Sequence, residues 1–208
     1  MKSLFSLKEL RLNYLAHAHL SFEYNEILVG NIMGDFIKGN RYNQYPQGIR
    51  QGILLHRWID HFTDSHPIVH DALMVFRDGF RLSGGVFLDI LFDHFLANDS
   101  AYFSEESLKE YTHATYSHLL AHQHHFSDDM RTFFSYMQSY DWLFHYRFKD
   151  GLERSIMGMC KRHPRLGDGT KALALIDTNY EKLRDDYIKF YPELFQAAKE
   201  RMSSLESL

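Results

Sequence analysis

Gly52-Ile53-Leu54-Leu55-His56-Arg57-Trp58-Ile59-Asp60-His61-Phe62-Thr63-Asp64 decides how this chain is read. Apolar residues recur through it at three- and four-residue spacing, the period of a helix with one face in a core. His56 and Asp60 are four apart, so they share a face with Ile53 and Thr63, their Cβ atoms about 5–6 Å from each other. An imidazole and a carboxylate on a buried face are costly unless something pairs with them. Two other segments repeat the anomaly. Asp35 interrupts Ile32-Met33-Gly34-Asp35-Phe36-Ile37, and Asp93-His94 interrupts the apolar run 86–97, whose remaining polar residue is Asp89. One shared cation would satisfy all three segments.

The same helical period extends outward from this stretch. Prolines occur at only four positions, 46, 67, 164 and 192, which leaves long runs free to be helical. The spacing predicts helices over 10–20, 25–38, 47–63, 67–79, 84–98, 105–125, 127–138, 149–162, 171–190 and 193–204. Gly39-Asn40 is suited to close the second. Asp64-Ser65 before Pro67 offers capping oxygens for the fourth, and His163-Pro164 ends another. Alternating Val/Ile runs joined by tight turns, the signature of hairpins, are missing from the sequence. The expectation is an all-α fold, a single compact multi-helix domain over 1–208, with 1–10 as an additional N-terminal segment.

Composition narrows the function. The chain has 208 residues, 45% apolar and 24% charged, with 17 Phe and 13 Tyr, enough for one well-packed core. A net charge of −4 gives no global attraction for nucleic acid, so none is expected as a partner. The single Cys160 forms no internal disulfide. No window reaches the roughly 18 apolar residues of a membrane span, and the first residues lack the apolar stretch of a signal peptide. The expectation is a soluble cytoplasmic protein with no membrane association.

Asp35, His56, Asp60 and Asp93 are the candidate metal ligands. An imidazole among several carboxylates suits Mn²⁺, Fe²⁺, Zn²⁺ or Mg²⁺, and its oxygen-rich character leans toward Mn²⁺ and Mg²⁺. On spacing alone, a set of buried hydrogen bonds explains the same residues equally well. Asp93 and His94 are adjacent and diverge by about 100°, so they do not aim at one atom. In Asn13-Tyr14-Leu15-Ala16-His17-Ala18-His19-Leu20 the two histidines point to nearly opposite sides; at most one joins a site, and the favoured reading is one on the surface and one in a core or capping role. His118 and His122 have the spacing of a zinc pair, but Leu119-Leu120-Ala121 between them supplies no general base. The group His113, His118, His122, His124 and His125 reads as solvated. No phosphate-cradling glycine loop or nucleophile elbow occurs. Local positive charge gathers at Lys38, Arg41, Arg50 and Arg57 and at Lys161-Arg162-His163-Pro164-Arg165, suited to steering an acidic partner.

The stretches 13–20 and 52–64, with Gly30-Asn31-Ile32-Met33-Gly34-Asp35-Phe36 and Asp93-His94-Phe95-Leu96, resemble the acyl carrier protein phosphodiesterase family. Gly158-Met159, Arg162-His163-Pro164-Arg165-Leu166 and Phe190-Tyr191-Pro192 also fit, so the resemblance spans roughly residues 12–200. It implies an all-α fold distantly related to the HD-domain phosphohydrolases and a divalent metal, typically Mn²⁺, with Mg²⁺ or Fe²⁺ as alternatives. The implied reaction hydrolyses the phosphodiester joining 4′-phosphopantetheine to a serine of holo-acyl carrier protein, an acidic protein substrate. By motif position Asp35 carries over as a metal or catalytic carboxylate, and His56, Asp60 and Asp93 fall where such enzymes place ligands. This chain departs from the family's pattern at Trp58, where a second basic residue often follows the motif's Arg57.

The expected chemistry has Arg57 neutralising charge on the non-bridging oxygens and His94 or His61 protonating the departing serine oxygen. Two other functions compete. One is a phosphohydrolase acting on a nucleotide or another small phosphodiester; the other is a non-catalytic helical binding protein.

Overall fold

Residues 13–206 are described by a computed structural model, and every regular element among them is helical. The expected N-terminal segment 1–10 lies outside the described residues. Twelve α-helices follow in order among the described residues: α1 (Tyr14–His19), α2 (Asn25–Met33), α3 (Gln47–Ser65), α4 (Pro67–Leu73), α5 (Arg77–Phe80), α6 (Gly84–Ala97), α7 (Glu105–Ala121), α8 (Asp128–Ser139), α9 (Trp142–His145), α10 (Lys149–Arg162), α11 (Gly169–Thr178) and α12 (Tyr180–Glu206). Short 3₁₀ turns link several of them, including Gly34–Phe36 directly after α2. No helix is long and apolar enough to cross a membrane.

The apolar run seen in the sequence becomes α6, buried along nearly its whole length. It is the axis of the fold, with α1, α4, α10 and α12 packed around it. The most extensive helix pairing is α2 against α3. A Cβ added at Gly30 would overlap the Ile49 carbonyl, and one at Gly52 would overlap the Ile27 carbonyl. Backbone therefore meets backbone at this crossing, which only glycine permits. The approach sets Asn31, next to Gly30, against His56, one turn beyond Gly52. Gly34 continues the same logic, since a Cβ there would run into the His56 ring.

Three local expectations are corrected. The helix expected over 171–190 breaks at Asn179, which leaves helical angles and whose side chain donates back to the Leu175 carbonyl. Pro192 does not end a helix but lies inside α12. Its missing donor concerns the carbonyl of Ile188, an exposed residue, while Leu183, Tyr187, Phe190, Tyr191, Leu194, Ala198 and Met202 keep one continuous stripe buried. At the start of α4 no side chain caps the helix; Ser65 Oγ instead donates backward to the His61 carbonyl at 2.9 Å.

Gly52→Ala is expected to destabilise the protein by about 1–3 kcal/mol through overpacking. Gly85→Ala, where a Cβ meets open space, should be neutral or slightly stabilising. Paired urea denaturation curves check the contrast.

Candidate metal centre

Helices α1 and α3 and the turn after α2 converge on one cluster. His17 comes from α1, and His56 and Asp60 come from successive turns of α3. The ligand-capable atoms of these three residues lie within 4.8 Å of one another, forming the one such group among the described residues. His17 Nε2 approaches Asp60 Oδ1 at 3.4 Å, and His56 Nε2 approaches Asp60 Oδ2 at 3.4 Å. The two imidazoles stack with centroids 4.2 Å apart. Asp35, on the 3₁₀ turn after α2, brings Oδ1 to 3.3 Å from His56 Nε2. Its other oxygen accepts from the Tyr14 hydroxyl at 3.0 Å.

Behind the cluster stands Asn31, fully buried. Its Oδ1 lies 2.7 Å from His17 Nδ1, and its backbone carbonyl lies 2.8 Å from His56 Nδ1. Both histidines are therefore held from the rear, with Nε2 turned to the carboxylates. The His17 Nε2 atom is buried and makes no hydrogen bond. Burial lowers the pKa of His56, but the nearby Asp60 and Asp35 carboxylates more than reverse this and push it to about 9. His17 moves the other way, lowered by burial and by its neighbour His56. The pocket thus favours one positive charge shared among four polar groups. An orphaned imidazole nitrogen beside a carboxylate, with a second imidazole and a second carboxylate alongside, fits a divalent cation.

The expected residues divide between this cluster and other places. Asp35, His56 and Asp60 come together. Asp93 does not join them: its two oxygens accept the backbone amides of Leu15 and Ala16 at 2.8 and 2.9 Å. Burial raises its pKa and those two donors pull it down, with burial the larger influence. Asp93 holds the first turn of α1, the helix that carries His17. His94 also stands apart, with Nδ1 on the Tyr146 carbonyl and Nε2 on the Tyr180 hydroxyl, each at 2.7 Å. Both nitrogens are occupied, which leaves none for a leaving group, and burial lowers its pKa. His61 is exposed on α3. Arg57 uses its guanidinium on the Ile37 and Gly39 carbonyls, at 2.7 and 2.8 Å, and lies over the Tyr42 ring. It clamps the segment that follows Asp35.

His17 and Asn31 are the residues that sequence reasoning passed over. The spacing rule was sound, since only one of His17 and His19 reaches the site. His19 points the other way, into a cage of Tyr102, Phe103, Tyr191 and Phe195, with Nδ1 on the Tyr191 hydroxyl at 2.8 Å. The His118–His125 group lies apart from the cluster; His122 Nδ1 bonds the His118 carbonyl at 2.9 Å and the His124 and His125 rings are neighbours.

This geometry meets independent support from sequence comparison. The acyl carrier protein phosphodiesterase family matches residues 12–194. The chain belongs to that family. A protein named acyl carrier protein phosphodiesterase from Enterobacter sp. (strain 638) is 34% identical, over 91% of this chain and 99% of its own length. Proteins of the same name from Salmonella agona (strain SL483) and Yersinia pestis are 33% and 31% identical, over 92% and 91% of this chain and 100% and 99% of theirs. No solved structure matches the chain. Membership in the family therefore rests on sequence, and the positions of His17, His56 and Asp60 are a finding of this structure.

Two outcomes follow from the geometry. Burial lowers the pKa of His19 to about 4. A histidine kept neutral in the fold but protonated when unfolded stabilises above its unfolded pKa of about 6.5, and that contribution is lost as pH falls toward 4. Wild type should therefore lose about 3 kcal/mol more than His19→Gln between pH 7 and pH 4, read by urea denaturation. Asp93→Ala orphans two buried amides, at about 1–3 kcal/mol each. It should lower stability and metal affinity together, read by urea denaturation and Mn²⁺ titration.

Proposed function

We propose that this protein is a metal-dependent phosphodiesterase that hydrolyses 4′-phosphopantetheine from holo-acyl carrier protein, leaving the apo-protein. The observation that carries the proposal is the buried His17–His56–Asp60 cluster in a chain of the acyl carrier protein phosphodiesterase family. In this reading His17, His56 and Asp60 are the protein's ligands to a divalent ion. Two imidazoles and a carboxylate are a softer set than one imidazole among three carboxylates. That moves the balance away from Mg²⁺ and toward Mn²⁺, with Fe²⁺ or Zn²⁺ as alternatives. Such an ion supplies Lewis acidity toward a phosphoryl oxygen and makes water nucleophilic near neutral pH.

The remaining roles belong to the chain's own groups. Tyr14 orients Asp35 by bonding one of its oxygens, which leaves the carboxylate fixed beside His56 to accept a proton from the attacking water. Arg57 holds the backbone at Ile37 and Gly39, so it maintains the position of Asp35 in the turn just before them. With both nitrogens of His94 engaged, exposed His61 is retained as the donor to the departing serine oxygen. Lys38 and Arg41, exposed on the segment that Arg57 clamps, favour the approach of an acidic protein substrate.

Mass spectrometry of holo-acyl carrier protein incubated with the protein and Mn²⁺ tests this. The expected outcome is loss of the phosphopantetheine mass, abolished by a chelator and by His17→Ala or His56→Ala in folded protein. Intact holo-protein, alongside turnover of a nucleotide or an aryl phosphodiester, would reassign the substrate.

A further inference from the structure

Asn31 stands where one residue governs both imidazoles, and its amide has only one satisfactory orientation. Nδ2 donates to the His17 carbonyl at 2.8 Å and to Ser21 Oγ at 3.1 Å. Ser21 in turn donates its hydroxyl proton to the His17 carbonyl at 2.9 Å, so its oxygen is left as an acceptor toward Asn31. Turning the Asn31 amide over would set its oxygen against the His17 carbonyl, which has no proton to give. Oδ1 must therefore face His17 Nδ1, and being an oxygen without a proton it can only accept. His17 consequently carries a proton on Nδ1 and, when neutral, a lone pair on Nε2. The same residue's backbone carbonyl imposes the same arrangement on His56 through Nδ1.

Asp60 Oδ1, 3.4 Å from His17 Nε2, is the neighbour that would draw the proton to that nitrogen instead. A proton on Nε2 would occupy the lone pair a cation needs. We infer that Asn31 is a positioning residue which, by accepting the Nδ1 proton of His17 on its side chain and that of His56 on its backbone, leaves Nε2 as the nitrogen of each ring that can present a lone pair to the metal. The inference rests on the metal reading of the cluster, yet the tautomer it assigns to His17 exists in the metal-free protein. Position 31 contributes through side chain and backbone separately, so side-chain variants should disturb His17 and spare His56.

The test uses long-range ¹H–¹⁵N correlation of histidine rings in the full-length, metal-free protein at a pH where His17 is neutral, followed by Mn²⁺ titration. Wild type should show His17 protonated at Nδ1 and bare at Nε2. Asn31→Leu should shift the ring to the Nε2–H form and lower Mn²⁺ affinity about 10- to 100-fold, the usual cost of losing the group behind a ligating histidine. In the His17→Ala background the same substitution should have almost no further effect on affinity. Asn31→Asp keeps an acceptor, so it should retain the Nδ1–H form; it also serves where the Leu variant does not fold. A wild-type His17 protonated at Nε2, or an Asn31→Leu protein with unchanged tautomer and affinity, would overturn the assignment. Wild type that binds no Mn²⁺ while showing the expected tautomer would instead remove the metal reading and leave the role of Asn31 in fixing His17 intact.

Discussion

Everything at the candidate centre depends on the contact of backbone on backbone where α2 crosses α3. Gly30 and Gly52 let each helix reach the other's carbonyls, closer than helices separated by side chains, whose axes stay about 8–10 Å apart. Asn31 follows Gly30 directly and His56 follows Gly52 by one turn. The crossing thus becomes a hydrogen bond between the Asn31 carbonyl and the His56 ring. Gly34, one turn later on the same strip, removes the side chain that would otherwise fill the space of that ring. Three glycines therefore make room for one histidine.

The third helix is held by hydrogen bonds to a buried carboxyl group rather than by backbone-on-backbone packing. α1 has only six residues, too short to be stable by itself, since isolated helices under about 12–15 residues are marginal. Asp93 in the middle of α6 supplies what is missing, accepting two of the first-turn amides. These amides have no partner within the helix and form its positive end. A buried carboxylate that looks like a ligand in sequence is thereby spent on anchoring the helix that delivers His17. Both oxygens of Asp93 are taken up by the Leu15 and Ala16 amides, and the cluster gains a second imidazole in its place.

The all-helical architecture was legible because its signals are periodic and local: a continuous apolar α6, an amphipathic α3, and few prolines. Asp35, His56 and Asp60 were legible because each is a polar exception on an otherwise apolar helix. Asp93 carries the same signature and turned out differently. Sequence spacing reports that a carboxylate is buried, and it cannot say whether the positive partner is an ion or a helix terminus. His17 was hidden for the converse reason, being one of two histidines in a segment too short to display a helical face. Pro192 misled because proline usually ends a helix, and here the buried stripe of α12 outweighs one lost hydrogen bond. Asn31 had no signal except its place between the two close-packed glycine positions.

The central claim is that the cation is held by two imidazoles and one carboxylate, with Asp93 left on the amides of α1. Anomalous diffraction at the manganese edge from crystals grown with Mn²⁺ addresses it directly. The account predicts a single strong peak within coordination distance of His17 Nε2, His56 Nε2 and the Asp60 carboxylate, and Asp93 still bonded to Leu15 and Ala16. A peak ligated by Asp93, or one that His17 does not touch, would contradict it.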